Sequence, residues 1–276
     1  MTTFEKELTN FMIHLHNEEK SESTCTKYKR DICDFLHWLS QNELCKETVL
    51  AYKSKLVERY SPTSVNSKLS SLNSFFNFIN RFDCKVRFLK IQRQIFASKE
   101  RELTKSEYHR LIRAANHNMR LKLLMQTICS TGIRVSELQF ITVEAAKKGR
   151  VSINCKGKMR VVMLTPELCR ELKKYVRSCH IISGSIFITR SGKPLDRSNI
   201  WSEMKKLCKR AGVEALKVFP HNLRHLFART YYSIQKDIVR LADILGHSNI
   251  NTTRIYTAES GEQHMRQLRK LGLLFS

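Results

Sequence analysis

LKLLMQTICSTGIRVSEL (residues 121–138), followed by RVSIN (150–154), CKGKM (155–159) and RVVML (160–164), is the stretch whose reading decides the fold. Its first part is an apolar run at helical spacing, which Gly132 stops just before Arg134. Its second part is two short β-prone runs on either side of a Lys-Gly segment, the pattern of an antiparallel hairpin. A buried helix that breaks beside an arginine and leads into a hairpin predicts a mainly helical unit with a small antiparallel sheet. SIFIT (185–189) is a candidate third strand. Helix starts surround this centre. Thr104 and Glu107 form a capping box, Thr165-Pro166 opens another helix, and Asp196 to Gly212 and Pro220 to Ser233 mark two more.

Upstream, residues 1–90 read as helices throughout. Phe4, Leu8, Phe11, Met12 and Leu15 form one apolar stripe, and Tyr28, Ile32, Phe35, Leu36 and Leu39 a second. Ser61-Pro62 opens a further helix that turns Val65, Leu69, Leu72, Phe75, Phe76 and Ile79 inward. Its opposite face carries Asn66, Lys68 and Asn73, short polar or cationic groups suited to a sugar-phosphate backbone or to plain solvent. Lys85, Arg87, Lys90 and Arg93 lead into a stretch without helical spacing, so 91–102 reads as an exposed basic linker. The expected organisation is a helical domain over 1–90, that linker, and an α+β domain over 103–276. Lys90 and Arg93 join Asn66, Lys68 and Asn73 as expected contacts to a nucleic-acid backbone.

Charge narrows the partner. Forty-nine Lys and Arg against twenty-five Asp and Glu leave +24 in 276 residues. That excess suits a polyanion, because each neutralised phosphate releases condensed counterions. No apolar run approaches bilayer length and the N-terminus lacks a signal-peptide core, which predicts a cytoplasmic protein with no membrane partner. Nine scattered cysteines without a CxxC pair suit reduced thiols rather than a disulfide framework or structural zinc.

Four segments of the second half carry groups suited to phosphate chemistry. In Thr131-Gly132-Ile133-Arg134-Val135-Ser136-Glu137-Leu138, Arg134 emerges from apolar surroundings with the forked geometry that fits a phosphate, while Glu137 reads as its structural partner. In Pro220-His221-Asn222-Leu223-Arg224-His225, positions 221 and 224 share one helix face near its positive end, and His225 is expected to pack locally. Leu245-Gly246-His247-Ser248 sets a histidine just past a glycine helix end. Asn251-Thr-Thr-Arg-Ile-Tyr256 ends on a tyrosine that alone would read as core.

Together, in this order, these segments resemble the tyrosine recombinase family, the phage-integrase and Xer-type enzymes. TGIRVSEL resembles the family's first arginine motif, HNLRH its His-x-x-Arg motif, LGHSN its third motif and TTRIYT its nucleophile motif. The helical first part resembles the family's core-binding domain, a SAM-like DNA-binding module, with no arm-binding domain ahead of it. The resemblance implies a site-specific DNA recombinase acting on double-stranded DNA at inverted-repeat core sites. By it, Arg134 and Arg224 clamp the scissile phosphate, and His221 and His247 add hydrogen bonds, with His221 also able to take the tyrosine proton. Tyr256 attacks phosphorus to give a 3′-phosphotyrosyl bond. Such chemistry conserves the bond energy and needs neither metal nor nucleotide cofactor; GxxxxGK[ST] is absent. The hairpin departs from the family's G-K-G-x-K-x-R pattern, having Cys155 for the first Gly and one residue fewer. Lys156 aligns best as general acid, with Lys158 the alternative.

The resemblance also implies a homotetramer on DNA. The apolar tail, with Met265, Leu268, Leu271, Leu273, Leu274 and Phe275, suits exchange between subunits as well as docking on its own body. A type IB topoisomerase would use a similar residue set, and a non-catalytic DNA-binding protein would dispense with Tyr256 or an arginine.

Overall fold

The computed structural model describes residues 3–40, 42–91, 101–155, 158–189, 191–256, 265 and 269–271. It divides into two compact units, Met1–Arg93 and Gln94–Ser276. The fold is mainly helical with one small antiparallel sheet.

The first unit is four helices: α1 (Thr3–Asn17), α2 (Glu22–Leu39), α3 (Lys46–Arg59) and α4 (Pro62–Phe78). Ser21 and Ser61 cap α2 and α4 by accepting backbone hydrogen bonds, and Pro62 sits where its missing N–H is harmless. The stripes read from the sequence form one core, in which Phe11 meets Phe75 edge-on at 5.5 Å and Phe35 meets Phe76 at 5.7 Å.

After α4 the backbone runs extended past Val86 and Leu89, and α4 holds it with side chains instead of a strand. The Asn73 amide donates to Val86 O at 2.9 Å and accepts from Val86 N at 3.1 Å. Asn66 does the same with Leu89, at 2.9 and 2.7 Å. Seven residues apart on one helix, the two amides stand in for a neighbouring strand. Asn66 and Asn73, expected as contacts to a phosphate backbone, each spend the amide oxygen and one amide N–H on the chain's own backbone. Lys68 has internal partners too, Asp31 at 3.3 Å and Asp34 at 3.1 Å, with its side chain 15% exposed. Lys90 is exposed. Arg93 and residues 92–100 of the expected linker lie outside the described residues.

The second unit contains α5 (Lys105–Ala114), α6 (Met119–Thr131), α7 (Val143–Lys148), β1 (Arg150–Cys155), β2 (Lys158–Met163), α8 (Pro166–Ser178), α9 (Arg197–Ala211), α10 (Pro220–Gln235) and α11 (Ile238–Leu245). The Thr104–Glu107 capping box forms as read. β1 and β2 pair antiparallel from Arg150↔Met163 to Cys155↔Lys158. SIFIT is not a third strand. Among the described residues it contributes only isolated bridges, Thr142↔Ser185 and Ile188↔Pro194, because the chain bends at Gly184 and again at Gly192. Apolar residues of α5 to α10 and the inward positions of the hairpin share one core. No helix among the described residues is long and apolar enough to cross a membrane.

Candidate active site

The site lies where α6, α10, α11 and the last short turn before Tyr256 converge. α6 ends at Gly132 with φ +67°, and a Cβ there would meet the Phe227 ring at 2.4 Å. A side chain at 132 would thus be both strained and blocked. The turn frees the Gly132 carbonyl, which accepts from Arg224 Nη1 at 2.6 Å.

α11 supplies the second set of acceptors. A helix end leaves carbonyls without intrahelical partners and carries partial negative charge. Here arginines meet that need. Leu245 O accepts from Arg224 Nη2 at 2.7 Å and from Arg160 Nη1, and Gly246 O accepts from Arg134 Nη2 at 3.3 Å. Gly246 has φ +65°, and a Cβ there would strike Arg160. Two successive carbonyls thereby gather three guanidinium groups from three distant segments.

Glu137 is the carboxylate among them. It is 2% exposed, bridges Arg134 at 3.0 Å and Arg160 at 2.5 Å, and accepts from the Arg134 backbone N–H at 2.7 Å. The structural role expected for Glu137 is what it plays. Arg160 opens the second β-prone run of the hairpin; facing Glu137 from mid-β2, it ties the hairpin to the end of α11. Its signal was its place in the hairpin, two residues before the buried Val162 on the same strand face.

Arg224 is 1% exposed, and its pKa falls to about 10 through burial and the nearby Arg134 charge. It remains a cation at neutral pH. Its Nη2 also donates to His247 Nε2 at 3.0 Å, so that nitrogen is unprotonated and Nδ1 donates to Thr253 Oγ1 at 2.9 Å. Burial and then Arg224 and Arg134 push His247 down to about 4. Thr253, fully buried, was not singled out in the sequence; only its place three residues before Tyr256 hints at it.

Tyr256 is 5% exposed, stacked over His247 at 6.4 Å and edge-on to His225 at 5.0 Å. Burial raises its pKa, while Arg224 and Arg134 pull against that rise. His221 opens onto a cleft of about 870 Å³, shared with Arg134, Arg224, Phe187, Leu195 and Trp201. Partial burial of its ring and then Arg224, Arg197 and Arg134 lower its pKa. Arg134, His221, Arg224, His247 and Tyr256 thus come together. Lys156 lies outside the described residues, and Lys158 begins β2, paired with Cys155. Among the described residues no group of three or more His, Cys, Asp or Glu is arranged to hold a metal.

Fold and site define a two-unit, mainly helical protein with a buried phenol inside a cluster of arginines, an arrangement for addressing a phosphate. A model of the phage integrase family matches residues 101–263, and one of the phage integrase N-terminal SAM-like domain matches residues 8–81. The chain is 30% identical to a tyrosine recombinase of Pseudothermotoga lettingae over 97% of its own length and 98% of the relative's. It is 27% identical to the tyrosine recombinase XerD of Vibrio cholerae, covering 90% and 89%. Among solved structures, the XerH site-specific recombinase bound to difH substrate aligns with a TM-score of 0.71 at 19% identity, covering 92% of this chain and 81% of that one. A lambda integrase tetramer bound to a Holliday junction aligns at 0.73 and 18%, covering 92% and 76%. The chain belongs to the phage integrase family, the tyrosine recombinases.

Proposed function

We propose that this protein is a site-specific recombinase that cuts and rejoins double-stranded DNA at paired inverted-repeat core sites, with Tyr256 as nucleophile. The observation that carries the reading is the charge imbalance at the centre: of three guanidinium groups around a buried phenol, Arg134 and Arg160 share the carboxylate of Glu137, while Arg224 is held by backbone carbonyls and His247. A phosphodiester brings the missing negative charge. Its transition state gathers more on the non-bridging oxygens, where fixed cationic forks act most strongly.

In this reading Arg134 and Arg224 clamp those oxygens. His221 and His247 add hydrogen bonds to the same oxygens. Tyr256 Oη gives its proton to His221 and bonds to phosphorus as the P–O5′ bond breaks, and the leaving oxygen takes a proton from Lys156 or, alternatively, Lys158. The 3′-phosphotyrosyl bond keeps the energy of the phosphodiester, so rejoining needs no nucleotide. Four copies assemble on DNA and exchange their C-terminal tails, in the cytoplasm; the similar lambda integrase, a tetramer on a Holliday junction, supports the four-copy assembly.

A suicide substrate nicked beside the cleavage point tests the reading. Wild type should accumulate a covalent protein–DNA species, and Tyr256→Phe should bind the same DNA and form none. An adduct in the phenylalanine variant would contradict it.

A further inference from the structure

Thr253 joins the nucleophile's segment to the arginine cluster. It is fully buried, and its backbone is committed at both ends: the N–H donates to Ile250 O at 2.8 Å, and the carbonyl accepts from the Tyr256 N–H at 3.0 Å. Its hydroxyl meets His247 Nδ1 at 2.9 Å. Three hydrogen bonds therefore run in series, from Arg224 Nη2 to His247 Nε2, from His247 to Thr253, and from the Thr253 carbonyl to the backbone of Tyr256.

The structure and the proposed reaction ask opposite things of His247. In the structure Nε2 accepts from Arg224, so the ring proton sits on Nδ1 and is donated to Thr253. To bind a phosphate oxygen, Nε2 must donate, and a neutral ring then offers Nδ1 as an acceptor. Which nitrogen holds the proton is set by what the other one meets. A carboxylate or carbonyl beside Nδ1 would fix the proton there. A hydroxyl serves both forms, because it accepts through its lone pairs or, after a rotation about its C–O bond, donates its own hydrogen.

On the reading that Arg224 and His247 bind the scissile phosphate and Tyr256 attacks it, we propose that Thr253 is a positioning residue that acts through His247. Its hydroxyl turns from acceptor to donor as DNA binds, and His247 Nε2 changes from accepting an Arg224 N–H to donating to the phosphate. One proton leaves Nδ1 and one arrives at Nε2, exchanged with water, so the ring is neutral before and after. Burial and then the charges of Arg224 and Arg134 favour that neutral ring, pushing its pKa down to about 4. The exchange also releases a donor. Of the two Nη2 hydrogens of Arg224, one stays on Leu245 O, and the other, spent on His247 in the structure, becomes available to the same phosphate. The ring keeps its place throughout, and the Thr253 carbonyl keeps the backbone of Tyr256 in register with it.

The test compares two full-length variants on the nicked duplex that gives wild type its Tyr256 adduct. Thr253→Val keeps the shape and removes the hydroxyl; Thr253→Ser keeps the hydroxyl. Single-turnover cleavage should fall about 10- to 100-fold in the valine variant, as when the partner orienting a ligand histidine is lost, and serine should restore it. DNA affinity should stay within about twofold of wild type. In a His247→Ala background the valine substitution should change the rate by less than about twofold, because the residue it acts through is gone. In Tyr256→Phe, which leaves the DNA uncleaved, imidazole nitrogen resonances should place the His247 proton on Nδ1 without the duplex and on Nε2 with it. That measurement needs no change at position 253, so it decides the matter even if the valine variant does not fold. A wild-type rate in that variant, no rescue by serine, an equal loss without His247, or one His247 tautomer in both states would overturn the proposal. Failure of the nucleophile reading is separate: wild type itself would then form no adduct dependent on Tyr256.

Discussion

Each unit buries a cluster of charged side chains, and the two clusters are balanced differently. In the first unit Asp31, its side chain 1% exposed, accepts from Ser71 at 2.9 Å and pairs with Lys27 at 2.9 Å and Lys68 at 3.3 Å, while Asp34 also pairs with Lys68. Two lysines, with the exposed Arg30 at 3.7 Å from Asp31, meet two carboxylates. In the second unit Arg134 and Arg160 pair with one carboxylate, and backbone carbonyls hold Arg224 and take up further donors. Buried charge needs nearby compensation. The first cluster finds all of it within the chain and serves the fold. The second is held in place by dipoles that do not neutralise it, which suits it to the phosphate of the proposed reaction. Unbalanced burial, more than burial itself, distinguishes a site from a brace.

The largest effect should come from Arg224→Lys, which keeps a charge but loses the fork reaching Gly132, Leu245 and His247. Single-turnover cleavage should fall about 1000-fold with DNA affinity changed far less. A loss under tenfold would mean that the second cluster is a brace after all. Next, Glu137→Gln removes the carboxylate shared by Arg134 and Arg160 and should lower unfolding free energy by about 3 kcal/mol in urea, as broken buried pairs do. No change in stability would show that the arginines do not depend on it.

Asp31→Asn should cost about 2 kcal/mol at pH 7. Burial alone would raise the Asp31 pKa, but hydrogen bonds from Lys27 and Ser71 and the charges of Lys27 and Lys68 more than offset it and hold the carboxyl below its ordinary value. The wild-type advantage should therefore be complete above the unfolded pKa of about 4, decline as the pH falls toward the lower folded value, and vanish below it. An advantage that grew in acid would contradict this assignment. The smallest effect belongs to Asn66→Ala and Asn73→Ala, about 1 kcal/mol each in melting experiments with unchanged DNA affinity. Weakened DNA binding at full stability would restore the contact role first expected of them.

Much of this was legible from the sequence. Gly132, Gly246, the Thr104 cap and the helical stripes are local signals, and each produced its element. The residues around the phenol were legible as ordered motifs. What the sequence could not display was where polar side chains spend their hydrogen bonds. Asn66 and Asn73 look identical whether they face DNA or an extended segment 13 to 23 residues later, because the docking of 85–90 is a tertiary event. SIFIT has strand composition, yet strand identity needs a partner edge, and the bends at Gly184 and Gly192 deny it one. Arg160 and Thr253 carry their roles through contacts with Glu137, Leu245 and His247, far away in sequence or hidden by ordinary residue type.

The most direct test of the centre proposed for the phosphate is to map the tyrosine that becomes joined to DNA. Tyr231 and Tyr232 pack in the same small cluster as Tyr256, but Tyr256 is the phenol on which Arg224 and Arg134 act. After trapping on a nicked substrate and trypsin digestion, mass spectrometry should find the nucleotide mass on the peptide that starts at Ile255. Attachment within the peptide from Thr230 to Lys236 would show that the arginines address a different phenol and contradict the account.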